Sequence, residues 1–215
     1  MGDGRAIRYD VVMEELPVIY VARHCRTSWN AQGLLQGRTD ISLSEDGRRE
    51  AEGIAAGLGP LGVTHIVSST LRRAVETAEI YAAAVRAAVR PVHAFDELDH
   101  GEWEGKSFAE LVANPASKYE AWLNDPGAVG IPGSRESAGG AQGRMVAGIR
   151  ELASDLGGAT VLVISHKHTL ALLRCALWRR PLSAFRGMIR ESTEPERLSE
   201  AAIAGLIADQ RGTTA

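Results

Sequence analysis

Short apolar runs alternate with long helical segments along this chain, and this alternation limits its possible folds more than any other feature. Residues 16–23 (LPVIYVAR), 63–69 (VTHIVSS) and 159–166 (ATVLVISH) are short, apolar and contain β-branched residues. Continuous runs of this kind are typical of strands that are buried on both faces, as in a parallel sheet. Residues 90–98 (RPVHAFDEL) predict a further strand that leads into a loop.

Helical segments separate these strands. Residues 42–58 begin with Ser44, which is suited to an N-cap, and continue with acidic residues in the first turn. Further helices are predicted over 70–89, which is rich in alanine, and over 135–156 and 169–180. Strands that alternate with helices predict an α/β fold, a three-layer sandwich with a mostly parallel central sheet and helices on both faces.

We interpret residues 1–215 as one domain with two parts that depart from the alternation. Glycine and proline interrupt the helical spacing between about 99 and 134, so we expect an excursion with one or two short helices that serves as a lid or substrate loop. A strand is expected after residues 182–189. The segment 191–215 instead reads as a polar stretch followed by a helix or an irregular strand, so its structure is left undetermined.

Composition excludes several classes of function. The chain has 215 residues, of which 45% are hydrophobic, and a net charge of -3, so it can bury a core but lacks the positive charge of a general nucleic-acid binder. No apolar run is long enough to span a bilayer, and the first ten residues lack a signal-peptide core. The two cysteines, Cys25 and Cys175, are far apart, which is typical of a reducing compartment. We therefore expect a cytoplasmic protein that binds neither nucleic acid nor a membrane, and a homodimer is left open.

Residues with catalytic chemistry stand where the predicted strands end. Arg23 and His24 end the first strand, Arg72 and Arg73 begin the helix after the second, Glu97 follows the third, and His166 ends the last. In a parallel sheet these ends meet at one edge, where ligands of α/β proteins bind. We therefore expect two histidines, at least two arginines and a glutamate to surround one site.

That combination of residue types is suited to phosphoryl transfer. Arginine guanidinium groups bind phosphate oxygens through paired, charge-assisted hydrogen bonds, and a helix amino terminus adds further donors. An unprotonated imidazole is a good nucleophile toward phosphorus, and a protonated carboxyl group can donate to a departing alkoxide.

Five motifs carry a resemblance to a known family. RHCRTSWN, LQGRTDISLSEDGRREA, SSTLRRAVETAE, DELDHGEWEG and VISHKHTLALL occur in this order over about residues 16 to 175. Together they resemble the histidine phosphatase superfamily, also called the phosphoglycerate mutase-like family, and its phosphatase branch in particular. The resemblance implies a phosphomonoesterase for a small metabolite that needs no metal and no other cofactor. It implies His24 as the phosphorylated nucleophile, Glu97 as the proton donor, Arg23, Arg73 and His166 as the phosphate pocket, and Asn30 as a lining residue.

Two positions depart from the family pattern, since Cys25 and Lys167 stand where the family has glycine. If the backbone there needs a positive φ, a β-carbon costs about 1–2 kcal/mol. Otherwise Cys25 is a tolerated small side chain, and we favour this interpretation. A sharper hypothesis is that Lys167, His168 and Arg26 line the pocket and select a substrate with a second anionic group. His100, close to Glu97, is a further candidate for substrate binding.

Three rival functions are open at this stage. A cofactor-dependent phosphoglycerate mutase would share the pocket but return the phosphoryl group to a sugar acid. A non-catalytic phosphoester-binding protein would need neither His24 nor Glu97 and is therefore disfavoured. A cysteine phosphatase would use Cys25, but such enzymes need an arginine six positions after the cysteine, and this chain has none there.

Overall fold

The computed structural model describes residues 15–113 and 117–211, and within them five strands form one sheet in the order β3-β2-β4-β1-β5. The strands are β1 Val18–Arg23, β2 His65–Ser68, β3 Val89–Pro91, β4 Thr160–Ser165 and β5 Glu196–Arg197. Strands β1 to β4 are parallel to one another, and β5 is antiparallel to β1. The mostly parallel sheet is therefore confirmed.

Helices connect the strands, and several are short. The α-helices are α1 Ser28–Ala31, α2 Glu45–Ala55, α3 Arg72–Val85, α4 Phe108–Ala113, α5 Tyr119–Asn124, α6 Ala138–Asp155, α7 Lys167–Leu177, α8 Phe185–Met188 and α9 Glu200–Arg211. Single 3-10 turns occur at Gly59–Leu61, His93–Phe95, Gly101–Trp103 and Leu182–Ala184. The hydroxyl of Ser44 accepts a hydrogen bond from the Gly47 amide at 3.0 Å, so the predicted N-cap of α2 is confirmed. No helix in the described parts of the chain is long and apolar enough to cross a membrane.

The central strands are apolar throughout because alternate side chains enter two different cores. Val21 and Val163 pack under α6, α7 and α9, whereas Ala22 and Ile164 pack under α2 and α3. Helices therefore cover both faces of the sheet, which confirms the three-layer sandwich.

The predicted excursion forms a third apolar cluster. Trp103, Tyr119 and Trp122 are buried together with Phe185 of α8 and with side chains of α7. The segment over 99–134 thus packs on the body of the protein beside the carboxyl ends of the strands, with residues 114–116 outside the described part.

The strand expected after residues 182–189 is β5, which has only two residues and pairs with Tyr20 and Val21 of β1. Helix α9 follows it and packs Ile203 and Leu206 against the core. Both elements lie within the segment that the sequence pattern left undetermined. The connection between α8 and β5 passes the end of β1, where the candidate site lies.

Candidate active site

A cavity of about 460 Å³ opens where β1 and the other parallel strands end. Nine of the ten residues proposed for the site line this cavity: Arg23, His24, Arg26, Asn30, Arg73, Glu97, His100, Lys167 and His168. The tenth, His166, contacts His24, with 5.1 Å between the two ring centroids. The structure thus brings together every residue that sequence reasoning selected.

His24 is held in one tautomer by the backbone. Its Nδ1 lies 2.7 Å from the carbonyl oxygen of Cys25, which can only accept, so Nδ1 carries the hydrogen and Nε2 keeps its lone pair. Burial, followed by the positive charges of Arg73 and Arg23, holds the pKa of His24 well below its ordinary value. The ring is therefore neutral at neutral pH and available as a nucleophile.

His166 is fully buried at the end of β4, and neither ring nitrogen has a hydrogen-bond partner among the described residues. Burial and then the charge of Arg73 keep the pKa of His166 well below its ordinary value. Buried polar groups normally have a partner. A ligand oxygen bound beside His24 would supply one.

Arg73 is also fully buried, near the start of α3. Its Nη1 donates to the Thr39 carbonyl at 2.8 Å and its Nη2 to the Gly37 carbonyl at 2.6 Å, while Nε has no partner among the described atoms. Burial lowers the pKa of Arg73 to about 10, so the side chain is charged at neutral pH. The guanidinium is therefore a fixed cation at the cavity.

The loop that orients Arg73 is itself fixed by Glu104, a residue whose role the sequence did not reveal. One carboxylate oxygen of Glu104 accepts from the Arg38 amide at 2.8 Å, and the other accepts from the amide and hydroxyl of Thr39 at 3.0 and 2.6 Å. The only sequence signal that could have pointed to Glu104 is its position within the motif DELDHGEWEG. Glu104 thus acts on the site through the backbone that holds Arg73.

Glu97 is buried against the amino terminus of α7. Its Oε1 accepts from the amides of Leu98 and Thr169 at 2.9 and 3.0 Å, and its Oε2 accepts from the amide of His168 at 3.2 Å. Three backbone amides thus hold both oxygens of the Glu97 carboxyl group. The side chain is thereby fixed in the wall of the cavity.

Arg23 and Lys167 share a partner that no sequence pattern indicated. Glu191, in the connection between α8 and β5, places Oε2 at 2.6 Å from Arg23 Nη1 and Oε1 at 3.1 Å from Lys167 Nζ. The Arg23 and Lys167 side chains are 11% and 14% exposed, whereas that of Glu191 is 70% exposed. A carboxylate on a solvent-exposed segment thus reaches two nearly buried cations.

Asn30 and Arg26 lie at the cavity on the side of α1. The Asn30 Oδ1 accepts from the amide and hydroxyl of Thr27 at 2.9 and 3.0 Å, so its position is fixed. Arg26 is mostly exposed, and its Nε donates to Glu50 at 3.1 Å. Arg26 is therefore a cation of the cavity mouth rather than of its interior.

His100 and His168 form a buried pair in the cavity wall. The His100 Nε2 and the His168 Nδ1 are 2.8 Å apart, so one ring donates to the other, and Trp122 packs against both. Burial keeps the pKa of each ring below its ordinary value. Both side chains line the cavity. The hypothesis that Lys167, His168 and Arg26 select the substrate needs His168 at this position.

Neither Cys25 nor Lys167, which stand where the family has glycine, has a positive φ. Among the described non-glycine residues only Arg86 and Arg179 have positive φ, and Lys167 is the first residue of α7. The Cys25 Sγ is buried 3.5 Å from the hydroxyl of Tyr81, and burial raises the pKa of the thiol to about 11. A protonated thiol in this core is unsuited to nucleophilic catalysis. In the described parts of the chain, no group of three or more His, Cys, Asp and Glu side chains is arranged to hold a metal ion.

Comparison with known proteins gives consistent results. Residues 19–199 match the model of the histidine phosphatase superfamily (branch 1). Phosphoserine phosphatase 1 of Hydrogenobacter thermophilus is 30% identical over 167 residues, which cover 78% of this chain and 79% of that protein. Phosphoglycerate mutase-like protein 4 of Arabidopsis thaliana is 30% identical over 161 residues, or 74% of this chain and 70% of that protein.

A solved structure shares both the fold and part of the sequence. The mycobacterial glucosyl-3-phosphoglycerate phosphatase in complex with VO3 superposes with a TM-score of 0.78 at 27% identity, over 85% of this chain and 91% of that chain.

Proposed function

The chain belongs to the histidine phosphatase superfamily and is a phosphomonoester hydrolase, and on that premise we propose that its reaction passes through a phosphohistidine formed on His24. The observation that carries the proposal is the state of this ring. Its Nδ1 hydrogen is bound by the Cys25 carbonyl, so the lone pair is on Nε2, and the ring lines the cavity. A neutral imidazole of fixed tautomer beside buried arginines is suited to attack on phosphorus.

The first step transfers the phosphoryl group to the enzyme. The His24 Nε2 attacks phosphorus, so a nitrogen–phosphorus bond forms while the bond to the ester oxygen breaks. Glu97 enters this step protonated and gives its proton to the departing oxygen, which leaves as an alcohol. The burial of Glu97 in the wall of the same cavity supports this role.

The second step regenerates His24. Glu97, now a carboxylate, takes a proton from a water molecule as the oxygen of that water attacks phosphorus. An oxygen–phosphorus bond forms, the bond to His24 breaks, and inorganic phosphate is released. Glu97 therefore serves as the acid in the first step and as the base in the second, because the loss of its proton in the first step leaves a carboxylate at the same place.

Fixed positive charge stabilises the phosphoryl group in both steps. Arg73 is charged, buried and oriented by two carbonyl groups, so it offers Nε to a ligand without reorganisation. Arg23 supplies a second guanidinium, and the unpaired nitrogens of His166 supply a further contact. Positioning and charge are the main contributions that a protein makes to phosphoryl transfer.

The substrate we propose is a small phosphorylated metabolite. A cavity of about 460 Å³ suits a small ligand. Phe108 of α4 also lines it, which supports a lid function for the excursion over 99–134. We propose that the reaction needs no metal, because arginines and histidines surround the phosphoryl site, and we keep a cytoplasmic location as a prediction.

One experiment tests the covalent step. The wild type and His24→Ala are incubated with a panel of ³²P-labelled phosphate esters, quenched, and examined for protein-bound label that is labile in acid and stable in base. We expect such label on the wild type alone, together with release of inorganic phosphate that chelators do not reduce. Equal labelling of His24→Ala would overturn the assignment of the nucleophile.

Several relatives are named as probable phosphoglycerate mutases, so the mutase alternative has a direct test. A hydrolase releases inorganic phosphate without a bisphosphoglycerate primer, whereas a mutase of this type requires the primer and conserves the ester. We expect release without primer.

A further inference from the structure

We propose that Lys167 is a specificity-determining residue that binds an anionic group of the substrate other than the phosphoryl group. We further propose that the carboxylate of Glu191 takes the place of that group in the free protein. This inference rests on the proposed function, because it takes the phosphoryl group to lie between His24, Arg23 and Arg73.

Lys167 is a nearly buried cation with an exchangeable partner. Its Nζ donates to Glu191 Oε1 at 3.1 Å and lies 4.6 Å from the centre of the Phe108 ring. A buried ammonium group needs an opposing charge, because its loss of hydration is otherwise uncompensated. If Glu191 moves away, the site at Lys167 therefore favours another anion.

Glu191 is able to move, and substrate binding favours its movement. Its side chain is 70% exposed and belongs to the connection between α8 and β5, outside any helix or strand. Its exposed carboxylate regains water when it leaves, and an incoming anion then supplies the opposing charge that the nearly buried Lys167 needs. The other carboxylate oxygen of Glu191 occupies Arg23 Nη1, where a phosphoryl oxygen would bind, and two anions at one guanidinium repel each other.

Lys167 faces the side of the cavity where the remainder of the ester would lie. The departing oxygen must reach Glu97, which gives it a proton. The Glu97 carboxylate accepts from the amide of His168, the residue next to Lys167. Lys167 and Phe108 line the same cavity as Glu97, whereas His166 does not line it, so substrate atoms beyond that oxygen lie in the part of the cavity that Lys167 and Phe108 border.

The chemistry of the present occupant indicates the class of substrate. One carboxylate bridges Arg23 and Lys167, so the two cations lie close together, and a ligand that places a phosphoryl oxygen at Arg23 replaces both contacts when it brings a second anionic oxygen to Lys167. A phosphate monoester with a carboxylate a few bonds from the ester oxygen presents such a pair. Arg26, at the mouth and paired with Glu50, is too exposed to carry this selection alone.

Two esters with the same carbon skeleton test the role of Lys167. 3-Phosphoglycerate carries a carboxylate where glycerol 1-phosphate carries a hydroxymethyl group. For Lys167→Met we expect kcat/KM to fall about tenfold on 3-phosphoglycerate and less than about threefold on glycerol 1-phosphate, the loss of one charge-assisted hydrogen bond. Lys106→Met, at an exposed lysine outside the cavity, is the control and changes neither value. Equal losses on both esters would assign Lys167 to the phosphoryl group and overturn the inference.

Glu191→Gln tests the internal anion. Inorganic phosphate is used as a competitive inhibitor, and we expect its Ki to fall at least about threefold because the competing carboxylate at Arg23 is gone. Asp46→Asn removes a carboxylate of similar exposure, which is paired with Arg49 on α2, and leaves the Ki unchanged. A Ki that is unchanged or higher in Glu191→Gln overturns the proposal that the Glu191 carboxylate occupies the anion site of the free protein.

Calorimetry separates this inference from the proposed reaction. His24→Ala binds but does not turn over, and we expect it to prefer 3-phosphoglycerate to glycerol 1-phosphate, with the preference lost when Lys167→Met is added. That result supports the inference even if no phosphohistidine is found. Acid-labile label on His24 without any such preference overturns the inference and leaves the reaction standing.

Discussion

His24 and His166 end two adjacent parallel strands, and their ring centroids lie 5.1 Å apart at an interplanar angle of 54°. The register of β1 and β4 pairs Arg23 with Ser165, and the amide of His24 donates to the Ser165 carbonyl at 3.0 Å. The sheet itself therefore places the two imidazoles side by side. Of these two rings, that of His24 has a hydrogen-bond partner among the described residues and that of His166 has none, so the backbone distinguishes the proposed nucleophile from the proposed phosphate ligand.

Arg73→Lys is expected to impair both the site and the fold. A lysine cannot donate to the Thr39 and Gly37 carbonyls and also present a third donor to phosphate, because its ammonium lacks the planar fork. We expect kcat/KM to fall about 100-fold and the free energy of unfolding to fall by about 2 kcal/mol. Steady-state kinetics and urea denaturation measure the two effects.

The neighbouring arginine is the control for that substitution. Arg72 is more than half exposed and pairs with Asp40, so Arg72→Lys is expected to leave kcat/KM and stability almost unchanged. If Arg72→Lys were as damaging as Arg73→Lys, the assignment of Arg73 to the phosphate pocket would be wrong.

The depressed histidine pKa values predict how activity depends on pH. His24 must be unprotonated to attack, and its pKa in the folded protein lies well below the ordinary value of about 6.5. The acidic limb of kcat/KM should therefore lie well below pH 6.5, and activity should not rise between pH 6.5 and 7.5. A limb at or above pH 6.5 in the free enzyme would contradict the buried, neutral state of His24.

The same groups make stability fall in acid. Four buried histidines have lowered pKa values in the folded protein: His24, His100, His166 and His168. Below about pH 6.5 the unfolded chain binds protons that the folded chain does not, so their contribution is present above that pH and is lost as the pH falls. Each group contributes a slope of at most about 1.4 kcal/mol per pH unit. Urea midpoints between pH 7.5 and 5.5 measure this slope, and His168→Leu should reduce it; an unchanged slope in that variant would contradict the buried, neutral state of His168.

The strand ends were predictable because strands buried on both faces leave an unambiguous apolar pattern, and the resemblance of SSTLRRAVETAE to the family motif assigned Arg73 to the phosphate pocket. Glu191 was not predictable by the same means. Its position depends on the two-residue pairing of β5 with β1, which local sequence does not specify, and its carboxylate is exposed like any surface glutamate. The short helices α1 and α8 were missed for a different reason, because four residues are too few to show a helical period.

Cys25→Ala is expected to retain activity. The Cys25 carbonyl that holds His24 belongs to the backbone and survives the substitution, whereas the thiol faces Tyr81 and has a pKa raised to about 11. We expect kcat/KM to stay within about threefold of the wild type and stability to fall by about 1 kcal/mol through the loss of buried sulfur contacts. Loss of the acid-labile label in Cys25→Ala would contradict a passive role for the thiol.

Glu97→Gln separates the two steps in which Glu97 is proposed to act. A glutamine keeps the side-chain length and can still accept from the amides of Leu98 and Thr169, but it neither gives nor takes a proton. On an alkyl phosphate, whose oxygen leaves poorly, we expect kcat/KM to fall about 100- to 1000-fold.

On p-nitrophenyl phosphate the leaving oxygen needs little protonation, so His24 is still phosphorylated quickly, while the attack of water lacks its base. Rapid-mixing experiments should therefore show a burst of nitrophenol followed by slow turnover and an accumulated phosphoenzyme. Glu102→Gln, at an exposed carboxylate five positions along the chain, should behave as the wild type does. Equal losses of Glu97→Gln on both esters, without a burst, would show that Glu97 contributes charge or structure rather than a proton.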